Sequence, residues 1–181
     1  MKEFIRQNQL FSLCGLNCGL CPMFLNQNCP GCGGGEGNQP CKIARCSMEH
    51  DGVEYCFQCD EYPCEKYDHI DGFDSFITHR NQKGDLEKAQ QIGIESYNAE
   101  QMEKVKILDV LLSGFNDGRK KTLFFVAVNL LELQELQTVL REIERKSDME
   151  TLTLKEKSAF VAGLLQDAAE KNINLKLRKK R

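Results

Sequence analysis

Past residue 68 the apolar positions of this chain recur at helical spacing. Met102, Val105, Leu108, Leu112 and Phe115 fall on one face of a helix expected to start at Asn98, with Gln101 placed for a capping box. Gly114 and the turn Asn116-Asp117-Gly118 stop it. The stretch 123–128 is apolar on all sides, which predicts a buried helix, although a strand also fits that length. Leu130, Leu133, Leu136, Leu140 and Ile143 continue a helical stripe to about Lys146. Thr153 and Glu156 form a further capping box ahead of Phe160, Val161, Leu164, Leu165 and Ala168. On the N-terminal side, Asp85 is placed to cap a short helix that Gly93 ends. A mixed connector over 68–80 offers Phe73, Phe76 and Ile77 as docking residues, and Ile173, Leu175 and Leu177 alternate as in a short terminal strand. No repeat of solenoid period and no low-complexity linker interrupts the pattern.

The chain before this helical part is organised by cysteine. All ten lie between Cys14 and Cys64, with the spacing Cys14-x3-Cys18-x2-Cys21, Cys29-x2-Cys32, Cys41-x4-Cys46 and Cys56-x2-Cys59-x4-Cys64. Thiols this crowded hold a metal, a cluster or each other. The first residues contain no apolar export region or small-residue cleavage site, and the longest apolar run, 123–128, is far too short to cross a bilayer. A cytoplasmic location is therefore expected, where disulfides do not persist and the cysteines read as metal ligands. The expected architecture is a small irregular cysteine-rich metal module, zinc-knuckle or ribbon-like, over residues 11–70. It is expected to pack on a mainly α-helical bundle over 71–181.

Ligand geometry sorts the cysteines only in part. Cys29-Pro30-Gly31-Cys32-Gly33 is the clearest knuckle, since Pro30 presets one turn dihedral and Gly33 can take positive φ after the second ligand. Cys56-Phe57-Gln58-Cys59 is a second, and Cys64 sits between Pro63 and Glu65 at the start of an expected helix, where the dipole favours its thiolate. Four ligands close a structural zinc site. Cys29, Cys32, Cys41 and Cys46 are the most compact sequential set, with 33–37 as slack between its halves. Cys14, Cys18, Cys21, Cys56, Cys59 and Cys64 would then make a second site with spare thiols or share sulfurs around a metal pair, and the knuckles can also interleave. Two or more Zn2+ ions are expected, with an iron–sulfur cluster as the rival, since thiolates serve either metal. The Cys14-Cys18-Cys21 triad also matches radical S-adenosylmethionine enzymes, but the chain lacks the length and strand–helix alternation of their barrel. His50 and His69 flank the last knuckle and could complete a three-cysteine site; with ten cysteines available, they and His79 read as surface residues.

Composition, 41% hydrophobic and 28% charged, fits a globular protein and excludes wholesale disorder. Between Cys14 and Asp74 ten acidic residues face only Lys42, Arg45 and Lys66, and thiolates add further negative charge. That balance argues against a DNA reader, because phosphate contacts carry most of such affinity. The basic tail from Lys176 to Arg181 reads as a solvated, frayed terminus. No Ser/His/Asp order, phosphate loop or H-E-x-x-H helix is present, so no catalytic residue is assigned. The expected function is a structural zinc protein presenting a surface to a protein partner. Its rivals are an iron–sulfur redox protein and a metal-dependent enzyme with an open coordination position.

The segments Cys14-Gly15-Leu16-Asn17-Cys18-Gly19-Leu20-Cys21-Pro22, Cys29-Pro30-Gly31-Cys32, Cys41-Lys42-Ile43-Ala44-Arg45-Cys46 and Cys56-Phe57-Gln58-Cys59-Asp60-Glu61-Tyr62-Pro63-Cys64 resemble the cysteine-rich proteins grouped as domain of unknown function 3795. The resemblance covers about residues 13–67 and all ten cysteines, and Asn116-Asp117-Gly118-Arg119 with the helical remainder is similar to longer members. It implies a cytoplasmic prokaryotic protein with bound metal, and it supplies no substrate.

Overall fold

In the computed structural model, which describes residues 3–35, 41–169 and 173–179, regular structure is helical, and no strand occurs among the described residues. The α-helices are α1 (Pro22–Leu25), α2 (Lys42–Glu49), α3 (Gln82–Ile92), α4 (Ile94–Phe115), α5 (Lys121–Leu130), α6 (Leu133–Arg145) and α7 (Leu154–Ala168), with short 3-10 turns between some of them. The chain divides into two compact units, one running to Gln101 and including the tail from Arg178, the other Met102–Leu177.

The first unit reaches past residue 70 because its core needs α3 and the start of α4. Phe11 packs against Tyr55 and Tyr97, with ring centroids 5.6 and 4.6 Å apart, and Tyr67, Leu86 and Ala89 complete the cluster. A second cluster, Phe4, Leu13 and Ala44, packs with Cys32, Ile43, Val53 and Cys56. The buried Tyr97 hydroxyl donates to Asn17 Oδ1 (3.1 Å), and Asn17 Nδ2 donates to Asp85 Oδ2 (2.9 Å). Asp85 thus lies in the first turn of α3, fastened to the cysteine loop, and Asn81 takes the N-cap position expected for Asp85. Gly93 ends α3 as expected.

The connector before α3 departs from its apolar reading. Ile77 is buried, but Phe73 and Phe76 are 42% and 63% exposed. A carboxylate anchors this segment instead. Asp74 accepts from the Arg178 main-chain N–H (2.7 Å) and Nη2 (2.9 Å) and from the His79 N–H (2.9 Å). Arg178 Nη2 also donates to Asp71 O (2.7 Å), so the tail is docked at this residue rather than frayed; Lys180 and Arg181 lie outside the described residues. The alternating Ile173, Leu175 and Leu177 form no strand.

In the second unit the sequence stripes become helices, with shifts in phase. α4 starts at Ile94, four residues before the expected cap, and its buried positions within this unit include Lys104, Leu108 and Leu111. Met102 is left 42% exposed, because a helix buries the face its neighbours cover and not every apolar residue on it. The Asn116 and Asp117 side chains accept from the N–H groups of Gly118 and Arg119, both at 2.9 Å, and terminate it. The 123–128 stretch is helical within α5, where every residue from Phe124 to Leu130 is buried. Leu131 and Glu132 break the long stripe, and α6 continues it with Leu136, Val139 and Ile143 inward. The Thr153–Glu156 capping box opens α7, which packs against α5 and α6. No helix among the described residues is long and apolar enough to cross a membrane.

Two substitutions test these anchors. Gly15 has φ +94° and lies so close to α3 that an added Cβ would meet Gln82 O at 2.2 Å. Gly15→Ala is expected to cost about 2–4 kcal/mol from left-handed strain plus overpacking; a free energy of unfolding in urea within about 0.5 kcal/mol of wild type would contradict this packing. Burial alone would raise the Asp74 pKa, but its hydrogen bonds from Arg178 and His79 hold it down at about 2. Because that value lies below the ordinary unfolded value of about 3.9, the contribution is full above about pH 4 and is lost as pH falls through 2. Asp74→Asn should cost about 1–3 kcal/mol at neutral pH, and the gap to wild type in urea unfolding should shrink between pH 4 and 2.

Candidate metal centre

Short hydrogen-bonded turns present the cysteines. In the first, Ser12 Oγ accepts from the Leu16 N–H (2.6 Å) and stands 3.3 Å from Cys14 Sγ. Cys18 and Cys21 bracket a 3-10 turn closed by the Cys21 N–H on Cys18 O (2.9 Å), and Cys56 and Cys59 repeat it with Cys59 N–H on Cys56 O (3.1 Å). In the Cys29–Cys32 turn, Gly33 takes φ +77°, as the sequence anticipates, and a Cβ there would meet Arg6 at 2.7 Å. The Arg6 N–H donates to Gly33 O (3.2 Å), so the N-terminal segment lies against this turn. Cys41 caps α2 and Cys46 lies within it. Cys64 precedes only a single 3-10 turn, Glu65–Tyr67, where a helix was expected.

These turns gather the thiols into two groups. Cys14, Cys18, Cys29, Cys32 and Cys41 line one cavity of about 200 Å³, with Cys21 close enough to Cys18 and Cys29 to interact electrostatically. Cys46, Cys56, Cys59 and Cys64 line a second of about 20 Å³. The compact sequential set Cys29, Cys32, Cys41 and Cys46 is therefore not one group. Five residues of helix carry Cys46 about 7.5 Å from Cys41 along the axis. Cys14 and Cys18 line the first cavity with Cys29 and Cys32, and Cys14 also lies close enough to Cys56 to interact electrostatically. Among the described residues, no three or more Cys, His, Asp or Glu side chains are drawn together closely enough to hold one ion.

The surroundings of these thiols pull both ways on a negative sulfur, with burial the larger effect. Burial pushes the Cys14 thiol up to about 11 and Cys56 to about 12, and it raises Cys18, Cys21 and Cys32 as well. Against that penalty, the main-chain N–H groups of Leu16, Cys32, Met23 with Phe24, and Leu13 favour the thiolates of Cys14, Cys18, Cys21 and Cys32 respectively. The Arg6 guanidinium, 1% exposed, stands beside Cys32 and lies over the Tyr55 ring, 5.0 Å from its centroid. Its Nη1 donates to Asn8 O and Phe11 O, both at 2.9 Å, and its Nε to Glu54 O at 3.0 Å. Lys66 faces Cys46 and Cys64. The buried Tyr67 hydroxyl finds no nitrogen or oxygen partner and stands beside Cys56. An orphaned donor next to sulfur fits a thiolate acceptor, and the donor set fits a soft metal.

His50 borders the smaller cavity, but its Nδ1 donates to Cys46 O (2.9 Å) and its Nε2 lies 3.5 Å from Glu61 Oε1. His69 and His79 line neither cavity. Glu36 and Gly37 of the glycine-rich loop lie outside the described residues. Sequence reasoning missed Arg6, Lys66 and Tyr67. Lys66 had a signal, as one of three cations in an acidic stretch; Arg6 and Tyr67 had none, since only the fold brings them to sulfur.

No curated protein and no solved structure matches this chain. Residues 10–69, the stretch that holds all ten cysteines, match the family described as Protein of unknown function (DUF3795).

Proposed function

We propose that residues 10–69 form a cysteine-thiolate metal domain in which zinc is structural, and that the frame so held offers a surface to a protein partner. One observation carries the reading: ten thiols in two groups, faced by N–H donors, the buried Arg6, Lys66 and the orphaned Tyr67 hydroxyl. Such partners stabilise a charged sulfur and do little for a neutral thiol. A structural role follows from how little else holds the segment together. Its helices are four and eight residues long, and both apolar clusters it joins draw on residues outside it, Phe4 in one and Leu86, Ala89 and Tyr97 in the other. Cross-linking through a metal compensates for a core of that size. Phe73 and Phe76, exposed on the loop after the last cysteine, are the side chains this frame would offer a partner.

Metal ligation displaces thiol protons and is coupled to folding. Stripping metal with a strong chelator is expected to collapse the near-ultraviolet circular dichroism of Tyr55, Tyr67 and Tyr97, which are packed together in the first unit. An unchanged tyrosine signal in metal-free protein would overturn the structural role. Cys32→Ser and Cys59→Ser should each lower bound metal and the unfolding midpoint, whereas exposed Ser113→Ala should change neither. Zinc without visible absorbance supports the proposal; iron with acid-labile sulfide would move the reading to an iron–sulfur protein.

A further inference from the structure

Asp74 stands between two aromatic residues that behave in the opposite way. Its own side chain is wholly buried, whereas Phe73 is 42% and Phe76 63% exposed. Within the loop over 71–80 the hydrogen bonds are short in reach. The Gly72 N–H donates to His69 O (3.0 Å), the Ser75 N–H to Ile77 O (3.1 Å), and the Thr78 hydroxyl and His79 N–H to Asp74 Oδ1 (3.3 and 2.9 Å). Arg178 reaches the same residue from 104 positions further along the chain. Its carbonyl accepts from the Asp74 N–H (3.0 Å), and its own N–H donates to Asp74 Oδ2 (2.7 Å). Its guanidinium then lies against both carboxylate oxygens, Nε on Oδ2 (3.4 Å) and Nη2 on Oδ1 (2.9 Å), while Nη2 also meets Asp71 O (2.7 Å). A planar fork held this way fixes direction as well as distance. The loop backbone and the Asp74 carboxylate are therefore gripped together by one residue.

We infer that the C-terminal segment is a strap, with Arg178 as the positioning residue that closes the 71–80 loop and holds Phe73 and Phe76 outward as a fixed pair. Undocking Arg178 leaves a buried carboxylate without its cation, and such a group is stable only in water. The loop then opens locally, and the aromatic pair loses its pose. Resting on the partner surface proposed above, the tail thereby governs whether that surface is formed. The Arg178 side chain is 40% exposed, so the strap is reached from solvent.

The test is amide hydrogen exchange followed by NMR on the full chain. In wild type the Asp74 and His79 N–H groups are expected to exchange at least about a hundred-fold more slowly than in an unstructured peptide. Exchange at the peptide rate overturns the strap with no substitution made. Arg178→Gln should speed exchange of these two groups at least about ten-fold and leave α5 unchanged. Arg178→Lys, which keeps the charge but not the fork, should fall between the two. Equal acceleration in the loop and α5 would make Arg178 a general stability residue, and no acceleration would leave it without a hold; either result overturns the proposal. The chain contains no tryptophan, so Phe76→Trp supplies a single reporter at an exposed position. Its fluorescence anisotropy should report fast segmental motion when Arg178→Gln is added and none while Arg178 is present; motion in both backgrounds overturns the strap. If Arg178→Gln does not fold, wild-type exchange and the Phe76→Trp reporter decide. These readouts involve neither metal nor partner, so they can fail while the metal domain stands, and the chelation result can fail while the strap holds.

Discussion

The stack of Phe11 against Tyr55 and Tyr97 is the contact on which the cysteine-rich unit depends. It joins three segments far apart in sequence, and two of its rings sit immediately before cysteine-bearing turns. Phe11 precedes the Ser12–Leu16 turn that presents Cys14, and Tyr55 precedes the turn of Cys56 and Cys59. The Cys56 N–H then donates to Leu13 O (3.0 Å), which sets the two turns side by side. Aromatic contacts of this kind add to their area burial and constrain ring geometry. They position the cysteine turns that follow them.

The second constraint is electrostatic. A segment rich in acidic residues buries thiols whose charged form it penalises, as the raised pKa values of Cys14 and Cys56 record. The fold answers with directed N–H groups, the interior guanidinium of Arg6 and the hydroxyl of Tyr67. A buried cation is costly unless its donors are met; Arg6 places Nε and Nη1 on main-chain carbonyls, while Nη2 makes no hydrogen bond and stands 3.4 Å from Glu54 Oε1. Its charge therefore remains available to the sulfurs rather than being spent wholly on one carboxylate. The docked tail applies the same logic elsewhere, with Asp74 buried because Arg178 and main-chain donors surround it.

Much of the helical part was legible because its signals are local. The Thr153–Glu156 box, the Gly93 stop, the Asn116-Asp117-Gly118 turn and the all-round apolar α5 each report their own backbone surroundings. The misses were places where a distant segment decides. α4 presents Leu108 and Leu111 inward and leaves Met102 exposed, since its burial is set by neighbours and not by its own stripe. Phe73 and Phe76 look like core residues in sequence, yet Asp74 between them is the residue that docks. The alternation of Ile173, Leu175 and Leu177 needs a partner strand, and none occurs among the described residues.

By itself the sequence determined the chemistry available here: ten thiols in knuckle-like turns, an acidic setting, and helices with readable ends. Those properties are covalent or span a few residues, so they survive without knowledge of the fold. Only the tertiary structure decided which sulfurs share a cavity. The rise of α2 separates Cys46 from Cys41, the aromatic stack draws Cys14 toward the later turns, and Arg6 enters from outside the cysteine-rich segment. Grouping is a property of three-dimensional distance, and sequence separation does not measure it.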